Sequence, residues 1–202
     1  MSSRVVAIDP RAPSAAALDA AAQVLAQGGL VAFPTETFYG LGAAALDAAA
    51  VQRVFTLKGR PAGRPLLVLV DGLAMAERIA EIPERAQALI ARHWPGALTL
   101  VFRARPVVPD VVTGGTGTIG IRWSPHPVAA GVVAAFRAPI TAPSANPTGL
   151  APPTSAAGVR AHFGDTIDLV LDGGETTGGL ASTVLDVTTD PPRVVRAGAV
   201  RI

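Results

Sequence analysis

The chain of 202 residues contains no cysteine, which excludes disulfides, thiolate metal clusters and a cysteine nucleophile. Aromatic residues make up 4% of it, with one tyrosine, so an aromatic run for stacking bases is missing. Lysine is as scarce: every basic residue is arginine except Lys58. No apolar run approaches the roughly 20 residues that a membrane span needs. The N-terminus MSSRVVAIDP also lacks the basic-then-apolar pattern of a secretory signal. A soluble cytoplasmic protein, away from membranes, is the expectation. The three histidines, His93, His126 and His162, lie far apart with no HExxH spacing, so no tightly bound metal is expected. The pI near 9.9 accompanies a formal charge of only +2, which is no polybasic tail. No GxxxxGK[ST] loop is present. The GxGxxG match from Gly115 to Gly120 runs into the strand-like Ile121, Arg122 and Trp123, then Pro125, whereas the dinucleotide fingerprint needs a helix opening there.

What is present is rich in alanine and half hydrophobic, with ample length for one buried core. Ser14 can cap a helix over 14–27 that Gly28 and Gly29 end, and LVAFP then reads as a buried strand. Asp47 can cap a second helix, with Val51, Val54 and Phe55 on one face, ending at KGRP. LLVLV, ALTLVFR, TIGIRW and APITAP read as strands. The segment 73–94 reads as helical with a break at Pro83, PVAAGVVAAF as a helix, and Thr154 as the cap of a helix reaching about His162. The stretches IDLVLDGG, STVLDV, PRVVRAG and AVRI read as strands parted by Gly, Pro and Asp turns. Helices and strands alternate first and strands accumulate later. The expectation is one α/β domain over 1–202, with a twisted mixed parallel and antiparallel sheet flanked by helices.

The stretch FPTETFYGLG sets polar side chains at the end of a buried strand, which suggests a site. Similar small polar or cationic residues recur at other expected strand ends and loops: Thr35, Thr37 and Tyr39; Lys58 and Arg60; Arg122; Ser144 and Asn146; Ser182 and Thr183; Arg196. Each has a plainer reading. Lys58 and Arg60 follow a helix and could simply complement its C-terminal dipole. SANPTG could be an ordinary Asx or proline turn. Ser182 and Thr183 could be strand residues, Arg122 and Arg196 sheet-edge charges, and Tyr39 a packed ring. No paired acids and no catalytic triad emerge. An anion-binding cavity follows only if these pieces converge.

Taken together, the chain resembles the YrdC/Sua5 family, the threonylcarbamoyl-AMP synthases of tRNA modification. The resemblance runs from about residue 20 to the C-terminus through PTETFYGLG, KGRP followed by PLLVLV, HWPGALTLVF, GIRWSPHP, APSANPTG, LDGG, ASTVLDV and RVVRAGAV, in the family's order. The family's lysine-x-arginine and serine-x-asparagine pairs fall on Lys58, Arg60, Ser144 and Asn146. A related branch without established synthase activity usually lacks the first pair. Two positions depart from the family: Arg64 stands where many members carry Asn, and Leu69 or Val70 where many carry His. The chain resembles the short bacterial form, without the second domain of longer members.

The resemblance implies a YrdC-like fold with a positively charged concave cavity, and synthesis of threonylcarbamoyl-AMP and pyrophosphate from L-threonine, bicarbonate and ATP. Thr35, Tyr39, Arg122 and Ser182 would lie about the threonine. Thr118, Ser144, Pro152 and Arg196 would lie near ATP with Lys58, Arg60 and Asn146. Lys58 and Arg60 would neutralise phosphates and act catalytically, Ser144 and Asn146 would donate hydrogen bonds to the adenylate, and Mg2+ would arrive with ATP. Handover to the tRNA threonylcarbamoyltransferase machinery is also implied. The alternative is an RNA-binding or ribosome-maturation protein of the same fold, with weak RNA or tRNA affinity. Carbamoyl transfer, as by the related domain of hydrogenase maturation proteins, would call for acylphosphatase and zinc-finger modules that this cysteine-free sequence does not contain.

Overall fold

The computed structural model describes residues 4–202. The first half alternates as the sequence suggests. Strand β1 (Arg4–Ala7) and helix α1 (Ala15–Ala26) lead to the hairpin β2 (Val31–Pro34) and β3 (Tyr39–Gly42), then helix α2 (Ala48–Lys58) and strand β4 (Leu67–Leu69). Asp47 caps α2 as expected, its carboxylate accepting from the Ala49 and Ala50 amides at 2.9 and 3.2 Å. Ser14 stands at the start of α1 without a side-chain capping bond; its carbonyl accepts from Ala17 and Leu18 instead.

The 73–94 segment divides into α3 (Leu73–Ile79), the two-residue strand β5 (Ala80–Glu81), a 3-10 turn after Pro83 and α4 (Gln87–His93). Then follow β6 (Leu98–Ala104), the short α5 (Asp110–Thr113), β7 (Thr118–Arg122), α6 (Pro127–Phe136) and β8 (Ile140–Thr141). The last helix, α7 (Ala156–Phe163), is capped by Ser155, whose hydroxyl accepts from Gly158 N at 3.2 Å. The expected cap, Thr154, lies one residue too early, and its carbonyl accepts from the Thr176 amide. Strands β9 (Leu169–Asp172), β10 (Thr183–Asp186) and β11 (Arg193–Arg196) complete the chain. The expected strand at AVRI is not formed; Ala199 and Val200 bind back onto Ala181 and Thr183 through backbone and hydroxyl bonds.

The strands are mixed in direction, and their hydrogen bonds divide them into a four-stranded sheet, β1-β9-β2-β3, and a larger one, β11-β10-β6-β7-β4-β8, with β5 on the flank of β6. In the smaller sheet β1, β9 and β2 run parallel and β3 is antiparallel to β2, whereas in the larger sheet parallel pairs (β10 with β6, β4 with β7) alternate with antiparallel ones. The two sheets meet along a seam where the segment from Tyr39 to Ala45 runs antiparallel to the segment from Pro139 to Ala145. Gly42 lets β3 lie against β2 there, since a Cβ would fall 2.8 Å from the Phe33 ring. Phe33, Tyr39, Leu41, Leu69, Leu100 and Phe102 are fully enclosed in one hydrophobic core shared by both sheets.

Candidate functional site

A cavity of about 620 Å3 opens at this seam. Lys58 from the end of α2, Arg60, Thr118 and Arg122 from β7, Ser144 and Asn146 after β8, Pro152, Ser182 and Arg196 all line it. Thr35, Thr37 and Tyr39 complete the wall from the β2–β3 turn. The scattered candidates therefore converge, with one exception. Thr183 points away, its hydroxyl donating to Val200 O at 2.6 Å.

Five cationic side chains line the cavity, Lys58, Arg60, Arg122, Arg193 and Arg196, against one carboxylate, Asp186. Asp186 accepts from Thr188 Oγ1 at 2.6 Å and lies 3.5 Å from Arg193. Three buried side-chain atoms lack a partner among the described residues: Arg60 Nε, Arg122 Nε and Asn146 Oδ1. All three belong to cavity residues. Buried polar atoms are ordinarily satisfied, so orphans gathered around one cavity mark a place built for polar ligands.

The local chemistry refines each role. Lys58 is 3% exposed and donates to the carbonyls of Ser144 and Asn146, while its own carbonyl accepts from Thr148 N at 2.7 Å. It thus pins the whole 144–148 turn and keeps one N–H for a ligand. Burial, with Arg60 alongside, brings its ammonium down to about 8. Arg60 donates to Pro65 O and lies 6.0 Å from the centre of the Phe55 ring.

Asn146 spends its amide donors on Pro147 O and Leu150 O at 2.9 and 2.8 Å, so it offers an acceptor where a donor was expected. The Tyr39 hydroxyl also turns from the cavity: it donates to Gly174 O at 2.8 Å and accepts from Gly173 N at 3.2 Å. Tyr39 supplies wall, and burial pushes its phenol up to about 12.

On the opposite side, Ser182 Oγ lies 3.0 Å from Thr99 Oγ1, and Arg196 donates to both the Ser182 carbonyl and its hydroxyl. Thr35 folds its hydroxyl onto Phe38 O at 2.7 Å and accepts from Thr37 N, which shapes the turn. Arg122 is paired with Glu36, which gives no sign of this role in the sequence although it sits inside FPTETFYGLG. Thr99, Asp186 and Arg193 also line the cavity without a sequence signal, because strand residues far apart in sequence give no local sign of sharing a wall. The departures Arg64, Leu69 and Val70 are not among the lining residues; Leu69 and Val70 are core, and Arg64 is exposed.

Among the described residues no group of His, Cys, Asp and Glu is arranged to hold a metal ion, and no helix is long and apolar enough to cross a membrane. The family model Sua5/YciO/YrdC, described as "Telomere recombination", matches residues 23–198. A Pyrococcus abyssi protein named threonylcarbamoyl-AMP synthase is 49% identical over 179 residues, covering 88% of this chain and 53% of that protein. The Bacillus subtilis protein of the same name is 40% identical over 194 residues, covering 95% of this chain and 54% of that protein. The crystal structure of P. abyssi Sua5 complexed with L-threonine superposes with a TM-score of 0.93 at 45% identity, over 96% of this chain and 57% of that one. The chain thus spans about half the length of the first curated relatives it matches. Fold, ordered motifs and family model agree: the chain belongs to the Sua5/YciO/YrdC family.

Proposed function

We propose that the chain is an L-threonylcarbamoyladenylate synthase, joining L-threonine, bicarbonate and ATP into threonylcarbamoyl-AMP with release of pyrophosphate. The observation that carries this reading is the convergence of Lys58, Arg60, Arg122, Arg196, Ser144, Asn146, Thr35 and Ser182 on one cavity in a chain with these relatives. The amine of threonine takes up carbon dioxide from bicarbonate to form a carbamate. A carbamate oxygen then attacks the α-phosphorus, and pyrophosphate leaves with the electrons of the broken P–O bond.

The carbamate, the triphosphate and the departing pyrophosphate are all anionic, so the work of the protein is to bring like charges together. Arg122, with Thr35 and Ser182 nearby, takes the threonine end. The free N–H of Lys58, with Arg60 and Arg196, faces the phosphates and stabilises the charge passing to pyrophosphate. Ser144 and Pro152 border the nucleotide with Thr118, and the Asn146 oxygen is suited to a hydroxyl or amino donor there. The lining offers Asp186 as its sole carboxylate, already engaged, which suits a Mg2+ held by the phosphates and water and neutralising their charge. The product would pass to a tRNA-modifying transferase in the cytoplasm.

The test is pyrophosphate release from ATP and Mg2+ by the purified chain, with and without L-threonine and bicarbonate. Release that needs both is the expected result. ATP binding without release, together with steeply salt-dependent RNA binding, would turn the reading toward an RNA-binding protein of the same fold.

A further inference from the structure

Glu36 is the acidic residue of the PTET turn between β2 and β3, and its carboxylate is engaged on both oxygens. Arg122 Nη1 donates to Oε1, and Ser124 Oγ donates to Oε2 at 2.5 Å. The Glu36 main-chain carbonyl accepts from Thr177 Oγ1 at 2.8 Å, so the residue is fixed at both backbone and side chain. Neither Glu36 nor Ser124 lines the cavity, whereas Arg122 does.

Arg122 is 3% exposed, and a guanidinium so enclosed needs a counter-charge to stay charged and in place. Burial works against its charge, Glu36 favours it, and Arg196 opposes it. Without Glu36, Arg122 would face Arg196 uncompensated, with its Nε still lacking a partner. A planar guanidinium recognises a carboxylate by direction as well as charge, so a clamp on one edge sets the direction of the rest.

We propose that Glu36, held by Ser124, is a positioning residue that fixes Arg122 to receive the carboxylate of the amino-acid substrate. The inference rests on the reading of the cavity as an amino-acid and ATP site. Because Glu36 and Ser124 lie outside the cavity lining, their effect on a ligand passes through Arg122.

The experiment compares wild type with Glu36→Gln, Glu36→Asp and Ser124→Ala. Steady-state constants are measured for both substrates, alongside the 15Nε–1H resonance of Arg122, assigned by its loss in Arg122→Lys. Glu36→Gln is expected to raise KM for L-threonine about tenfold, as for losing a hydrogen bond to a charged group, and KM for ATP by less than about twofold. Ser124→Ala should shift the same constant in the same direction, and Glu36→Asp should recover part of the loss. The Arg122 resonance should exchange with water faster in both Glu36→Gln and Ser124→Ala. An unchanged resonance, equal losses for both substrates, or tighter threonine binding in Glu36→Gln would overturn the proposal. If wild type binds no L-threonine, the functional reading fails, while the resonance still decides whether Glu36 immobilises Arg122.

Discussion

Lys58 shows how a single residue can hold a turn and still present a free N–H to a cavity. Two of its three N–H groups are spent on the carbonyls of Ser144 and Asn146, and a neutral amine keeps two. Deprotonation therefore preserves the turn and removes the charge. With the ammonium brought down to about 8 in the folded chain, kcat/KM for ATP should fall as pH rises through that value. A pH profile of kcat/KM for the proposed reaction reads this, and a flat profile between pH 7 and about 9.5 would reject Lys58 as the phosphate-facing charge. Stability moves the other way. The folded pKa lies below the unfolded value of 10.5, so the unfolded chain binds more protons in between and this contribution to stability rises with pH across that window. The lysine-x-arginine spacing was legible in the sequence as a candidate site. That Lys58 would grip the turn of the other pair was not, because Lys58 and Ser144 stand 86 positions apart in the chain.

At the scale of elements, strands with internal alternation or unbroken apolar runs were legible, and those defined by their neighbours were not. ALTLVFR and TIGIRW were recognisable as β6 and β7. The YGLG of β3 was not, because two glycines leave no pattern of alternating side chains, and its strand form comes from pairing with β2 and the seam. The exposed β1 pairs only across the chain with β9, and β5 is two residues long. The C-terminal segment has a similar long-range logic. Gly198 packs so closely on 181–183 that a Cβ would lie 2.2 Å from Ala181 O and 2.6 Å from both Ser182 C and Thr183 N. These are backbone atoms and cannot step aside. Gly198→Ala should lower stability by about 1–3 kcal/mol, the usual cost of overpacking, and weaken ligand binding by displacing Arg196 and Ser182. Thermal unfolding with ATP titration measures both, and unchanged values would show that this packing is not required.

On the scale of the molecule, two sheets with one core enclose the cavity at their seam, so walls distant in sequence are set by a common framework. The mixed α/β architecture could be read from the run of helices and strands, and most of the polar cavity residues from short motifs; the division into two sheets could not, since it depends on which edges meet. The scarcity of aromatics has an experimental use here. Tyr39 is the sole tyrosine, and its hydroxyl joins the start of β3 to the Gly173–Gly174 corner after β9. Its phenol titrates near 12 when folded against 10.0 when free, so the folded state loses this support as pH rises between the two values. Phenolate absorbance should therefore stay low in the native chain at pH 11 and appear on denaturation; full ionisation near 10.0 with the fold intact would contradict the buried hydroxyl. The chain carries a one-residue optical gauge at the foot of its cavity, usable without any label.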